Sequence, residues 1–311
     1  MVAIPKRETT LKKIDKIEYG GNPRKYLGMS GIGASCGRSL WYGFHWVTSK
    51  KTPARIQRIF DIGHMFEQLA IKDLKKVGIE VYRKDHDEDG NEIKVEMTGH
   101  PDEKQETIPG FAGHSEGHPD GRCIGLIEAP KTEHLLEMKT MNDKYFKSVC
   151  KSGVQKAFPV YYGQAQRYMK GMKVTRTLFV AINKNDCTYY FERINFDKNF
   201  AEDLVRKEQQ IIMSDAPPPK AFPRGYFECN WKSCNSVCHE WGEPNKNCRT
   251  CDYCDAGNNG TWTCNNEKRI YDLGCKAEEI NLSVEDQRAG CEYWKIGWGL
   301  EDNGRAEIEQ S

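Results

Sequence analysis

The sequence predicts an α/β fold, a central mixed sheet flanked by helices, followed by a small cysteine-rich metal-binding module. Three observations carry this. Apolar, β-rich runs alternate with segments of helical period between residues 52 and 213. Pro217-Pro218-Pro219 then breaks the pattern. Beyond it, nine of the chain's 13 cysteines fall between Cys229 and Cys291. The predicted division is a core over 1–216, opening with a basic amino-terminal segment, and a cysteine-rich region over 217–311.

Thr52-Pro53 reads as a cap followed by proline at the first helical position, and Ile56, Phe60, Gly63, Glu67, Ala70 and Leu74 recur at helical spacing until Gly78. Ile79–Arg83 and Ile93–Met97 read as a hairpin closed by Asp89-Gly90. Cys123–Ile127 and Leu135–Thr140 read as central strands. Asn142–Ser152 and Val160–Met172 read as helices, the second following Pro159. Arg176–Ile182 and Thr188–Ile194 form a further strand pair, and Lys198–Met213 an amphipathic helix.

Composition bounds the function classes. The chain has 311 residues, 38% of them hydrophobic, with a mean hydropathy of −0.75 and no run long enough to span a bilayer. Lys6, Arg7, Lys12 and Lys13 are followed by no apolar stretch, so the expectation is a cytoplasmic protein. The net charge of +1 conceals strong polarity: residues 1–60 hold 12 basic and 3 acidic side chains, residues 61–120 hold 7 and 15, and residues 121–214 hold 16 and 10. The basic segments bracket an acidic one, as a polyanion-binding metal site requires.

The chemistry concentrates in Gly117-His118-Pro119-Asp120-Gly121 and Leu135-Leu136-Glu137-Met138-Lys139-Thr140. On a strand Glu137 and Lys139 share a face, and a hairpin would bring Asp120 alongside. Two hard oxygen ligands beside an ammonium suit a divalent metal and an activated water, the chemistry of phosphodiester cleavage. Glu67 on a mostly apolar helical stripe calls for a cation as well. Gln164 and Tyr168 lie one helical turn apart. No H-E-x-x-H or helical His pair supports a zinc hydrolase built on His64, His114 or His118.

Pro119-Asp120 with Glu137-x-Lys139, Gln164-Ala165-Gln166-Arg167-Tyr168 and Gly63-His64-Met65-Phe66-Glu67 together resemble the PD-(D/E)XK nuclease superfamily, in its RecB-type and lambda-exonuclease-like branches. Order and spacing agree over residues 60–170. Ser30-Gly-Ile-Gly-Ala-Ser-Cys36 followed by Leu40-Trp41-Tyr42 resembles phage-encoded members. The resemblance implies a restriction-endonuclease-like core and a Mg²⁺- or Mn²⁺-dependent DNA exonuclease acting in phage recombination or DNA processing, with a single-strand annealing or recombination protein as a partner. It implies Mg²⁺ on Asp120, Glu137 and the Met138 carbonyl, with Glu67 on the metal or its water shell, water activation by Lys139, positioning by Gln164, and a Tyr168 that contacts DNA or packs beside the site; Arg167 and His118 are expected as further DNA contacts. The alternatives are a non-catalytic DNA-binding or adaptor protein on the same fold, an endonuclease, or a nuclease acting on RNA.

The cysteines suit metal in a cytosolic chain. Relatives carry an iron–sulfur cluster tied by one early and three late cysteines, which here would be Cys36 with Cys229, Cys234 and Cys238. The late spacing is C-x4-C-x3-C instead of C-x2-C-x5-C, with Lys232 in the expected slot and His239 as an alternative ligand, so zinc competes. Cys248, Cys251, Cys264 and Cys291 are expected to hold a structural zinc, with Cys254 and Cys275 as spares or substitutes. Trp231, Trp241, Trp262, Trp294 and Trp298 are expected mainly to fill the thin core of this region.

Overall fold

The computed structural model describes residues 9–49, 51–273, 281–297 and 299–300; Cys275 and Trp298 lie outside them. The elements that organise it are α1 (Gly37–Phe44), α2 (Ala54–Lys76), β1 (Glu80–His86), β2 (Glu92–Glu96), β3 (Gly121–Ile124), β4 (His134–Met141), α3 (Asp143–Ala157), α4 (Pro159–Met172), β5 (Arg176–Asn183), β6 (Tyr189–Asn195) and α5 (Lys198–Met213). In the tail, β7 (Cys254–Ala256) and β8 (Trp262–Cys264) form a hairpin.

The main sheet has six strands in the order β6-β5-β4-β3-β1-β2. Only β4 and β5 run parallel, joined by the α3–α4 crossover; the other neighbours are antiparallel. This is the mixed sheet flanked by helices that the sequence predicts. Side chains alternate across it. Leu136 and Met138 of β4, with Leu178, Val180 and Ile182 of β5, pack on Ala70, Ile71 and Leu74 of α2. Leu135, Phe179 and Ala181 face α4 through Ala165, Tyr168 and Met169. The period-2 rule therefore turns Glu137 and Lys139, like Leu135, toward α4.

Local chemistry sets the element ends. Asn142 caps α3, its side chain accepting from the Tyr145 N–H at 2.9 Å. Pro159 opens α4. Thr52–Pro53, expected to begin α2, instead pairs with Glu18–Tyr19, and the helix starts at Ala54. An added Cβ on Gly163 would lie 2.6 Å from Gly33 Cα, so glycine is what lets the N-terminal segment cross α4 in contact.

The tail shares one hydrophobic cluster with the amino-terminal segment and α5. Trp41, Tyr42, Phe44 and Ile211 pack with Val237, Cys248, Trp262 and Cys264. Arg249 clamps this junction. Its guanidinium lies 3.8 Å from the Trp46 ring centre and 4.4 Å from that of Trp262, and donates to Phe44 O, Lys25 O and Gln287 Oε1 at 2.8–2.9 Å. Trp262 is buried as expected of a core-filling residue, whereas Trp231 is 81% exposed and Trp241 47%.

Candidate active site

Asp120 immediately precedes β3, whose first residue Gly121 pairs with Leu136 of β4. The register sets Asp120 beside Glu137, and the Met138 N–H donates to Asp120 Oδ2 at 2.7 Å. Glu137 is fully buried. Its Oε1 accepts from the Lys139 ammonium, while Oε2 has no hydrogen-bond partner. An orphaned carboxylate oxygen at this depth is costly unless something fills it.

Charge explains the titration behaviour. Burial, with the Asp120 and Glu67 carboxylates adding, pushes the Glu137 carboxyl above its ordinary range despite Lys139. Burial pulls the Lys139 ammonium down, but Glu137 and Asp120 outweigh it and hold it protonated. Glu67 is also raised, by burial and then by Asp120. Three carboxyl groups therefore lie around a single ammonium, and a divalent cation among them would favour their ionised forms.

Glu67 reaches the site from α2. With Asp120, Met138, His64 and His118 it lines a cleft of about 350 Å³. His64 Nδ1 lies 3.4 Å from Glu67 Oε2. On the α4 side, Gln164 and Tyr168 are buried, and the Tyr168 hydroxyl accepts from the His118 N–H at 3.3 Å. Gly117 allows this contact, since a Cβ there would meet the tyrosine ring at 2.6 Å.

The structure thus brings Glu67, Asp120, Glu137 and Lys139 together and sets Tyr168 behind them. It separates others. Arg167, expected on DNA, is buried and donates from Nε and Nη2 to the two carboxylate oxygens of Glu208 of α5, at 2.6 and 3.2 Å. Tyr168 is only 2% exposed, so it supports the Gly117–Asp120 turn from within and offers no surface to a ligand. His118 remains half-exposed in the cleft, its Nε2 3.1 Å from the Tyr26 hydroxyl. His114 stacks edge-on to Phe44 and Trp262 and bonds Gly257 O, outside the cleft. Sequence reasoning missed Tyr161, whose ring centre is 5.4 Å from Lys139 Nζ. Its spacing of three from Gln164 on a helix was the available signal.

No family profile matches the chain, and no curated protein matches it. Among solved structures, it is similar to the alkaline exonuclease LHK-Exo from Laribacter hongkongensis, with a TM-score of 0.41, 17% identity, and 61% of this chain and 87% of that one covered. The same enzyme in complex with dAMP gives 0.41 and 17%, covering 60% and 86%. The protein SSO0001 gives 0.37 and 14%, covering 70% and 88%.

Two groups of free thiols involve the tail, the first of them joined by Cys36 of the amino-terminal segment. Cys36, Cys229, Cys234 and Cys238 line one small cavity with Arg38, Lys220, Lys232 and His239. Burial pushes the Cys234 thiol up to about 11, with Cys238 adding. In the second group Cys254 and Cys264 are cross-strand partners, and Arg269 Nη1 lies 4.0 Å from Cys248 Sγ and 3.8 Å from Cys291 Sγ. Backbone N–H groups of Lys295 and Tyr253 point at the Cys251 sulfur. Among the described residues, at the carboxylates as at the thiols, no group of three or more His, Cys, Asp or Glu side chains has the geometry to hold a metal ion.

Proposed function

We propose that this chain is a divalent-metal-dependent nuclease that hydrolyses DNA phosphodiester bonds. The observation that carries the reading is the buried, unpartnered Oε2 of Glu137, set among Asp120, Glu67 and Lys139. The donor set fits a hard cation: Asp120, Glu137 and Glu67 carboxylates, with the Met138 carbonyl on the same strand. Bound there, Mg²⁺ or Mn²⁺ would supply Lewis acidity toward the phosphoryl oxygen and a more acidic water.

The chain's own residues do the rest. The Lys139 ammonium, kept charged by its carboxylate neighbours, holds a water by hydrogen bonding and stabilises negative charge on the phosphoryl group. The Met138 N–H fixes Asp120, and Tyr168 fixes the turn before it. Gln164 is buried one helical turn before Tyr168 on α4, and His118 faces the cleft where a phosphate would lie. Arg167 has no part in binding, being committed to Glu208.

The test is Mg²⁺ or Mn²⁺ added to end-labelled linear DNA. Wild type shortens it; Asp120→Ala and Lys139→Ala do not, while their circular dichroism stays native. Robust cleavage by the double variant removes the assignment. Retention of the DNA without shortening by wild type turns the reading to a binding protein. Exonucleolytic action, a phage recombination setting and an annealing-protein partner are carried by the sequence resemblance and belong to the same proposal.

The thiol groups are proposed as structural metal sites: iron–sulfur or zinc at Cys36, Cys229, Cys234 and Cys238, and zinc at Cys248, Cys251, Cys264 and Cys291. The cations around the first group support an anionic thiolate centre, and the Arg269 guanidinium beside Cys248 and Cys291 supports thiolate in the second. Elemental analysis with a visible spectrum of anaerobically purified protein decides it: no iron and no zinc ends both assignments.

A further inference from the structure

A second, shallower groove of about 730 Å³ runs beside the cleft. The two share Ile71 and His100 as lining, so they adjoin. The groove follows the carboxy-terminal half of α2, where Lys72, Lys75 and Lys76 recur at helical spacing. Glu67, Ile71 and Lys75 are successive i, i+4 positions, so the face that delivers Glu67 to the site continues directly into the lysines.

We infer that this groove is a track for the sugar–phosphate backbone of the nucleic-acid strand whose linkage occupies the cleft; this rests on the nuclease reading above and specifies where its polyanion runs. The dimensions agree. Eight residues of helix advance about 12 Å, roughly three phosphates along one strand of a duplex at about 3.4 Å each. Lys72 is exposed. Lys75 pairs with the exposed Glu96, and Lys76 with Asp73 at 3.1 Å. Such exposed pairs are worth about 0–1 kcal/mol and exchange readily for phosphate. The bland alternative is that lysines in a last helical turn merely complement the helix dipole; that role would leave nucleic-acid affinity untouched.

The experiment uses full-length protein carrying Asp120→Ala, so that binding is read without cleavage, and a fluorescent duplex followed by anisotropy from 50 to 200 mM salt. Adding Lys72→Ala, Lys75→Ala and Lys76→Ala is expected to weaken binding about 10- to 100-fold and to flatten the log–log salt slope by about 2–3. A control with the same charge loss on α3, Lys144→Ala, Lys147→Ala and Lys151→Ala, is expected to change affinity less than about threefold. Unchanged binding by the first triple variant, or equal weakening by the control, overturns the track while leaving the nuclease reading in place. A parent that binds no nucleic acid at low salt removes that reading and the track with it.

Discussion

Glu137 in the sheet and Arg249 in the tail are both charged and both buried, yet their surroundings differ. Arg249 has three acceptors and two indole faces around it. Glu137 has one ammonium and an oxygen facing nothing. A buried charge that is fully partnered holds elements together. One left partly unpartnered beside other carboxyl groups contributes less to holding the fold, and under the proposed function it is where a cation would bind. The ion pair of Arg167 with Glu208 belongs with Arg249: it ties α4 to α5, and Ser115 and the Phe111 N–H add to the same carboxylate.

The comparison breaks most decisively at the site. Glu137→Gln is expected to lower cleavage by roughly 10²–10³-fold or more, with thermal stability equal to or above wild type, because an isosteric amide relieves buried negative charge. A large fall in stability instead would make Glu137 a structural residue like Arg249. Arg249→Met should do the reverse, costing about 3–5 kcal/mol in denaturant unfolding by leaving buried acceptors unpaired, with little direct effect on the chemistry of molecules still folded.

A smaller effect lies in His45, stacked on Trp41 at 3.8 Å between ring centres and pulled down to about 3 by burial. Its unfolded value is about 6.5. The unfolded chain therefore binds the proton first. The contribution is complete above about pH 6.5 and is lost as pH falls through the window toward 3. Between pH 7.5 and 5.5, wild type should lose about 1.4 kcal/mol more than His45→Gln in parallel denaturant titrations. Equal losses would mean that His45 is protonated or solvated in the fold. Smallest of all, Tyr168→Phe removes the acceptor for the His118 N–H and should cost about 0.5–1.5 kcal/mol in stability. A fall in activity beyond that expected from stability would make Tyr168 a positioning residue for Asp120.

Much of this was readable before any coordinates. Apolar, β-rich runs located the central strands, since strands covered on both faces carry few polar residues, and Lys198–Met213 was bounded to the residue. Pro119-Asp120 and Glu137-x-Lys139 announced a carboxylate–ammonium cluster because strand geometry fixes which side chains share a face. What the sequence could not decide was orientation across elements. Arg167 reads as a polar neighbour of Tyr168, and only the arrival of Glu208, 41 residues later, turns it inward. Nothing local to Arg249 announces that residues 44, 25 and 287 will surround it. Local periodicity determines faces and element type; long-range packing, which sets the dielectric and the partners around each charge, determines which buried ionisable group is fully partnered and which is left with an unpartnered oxygen.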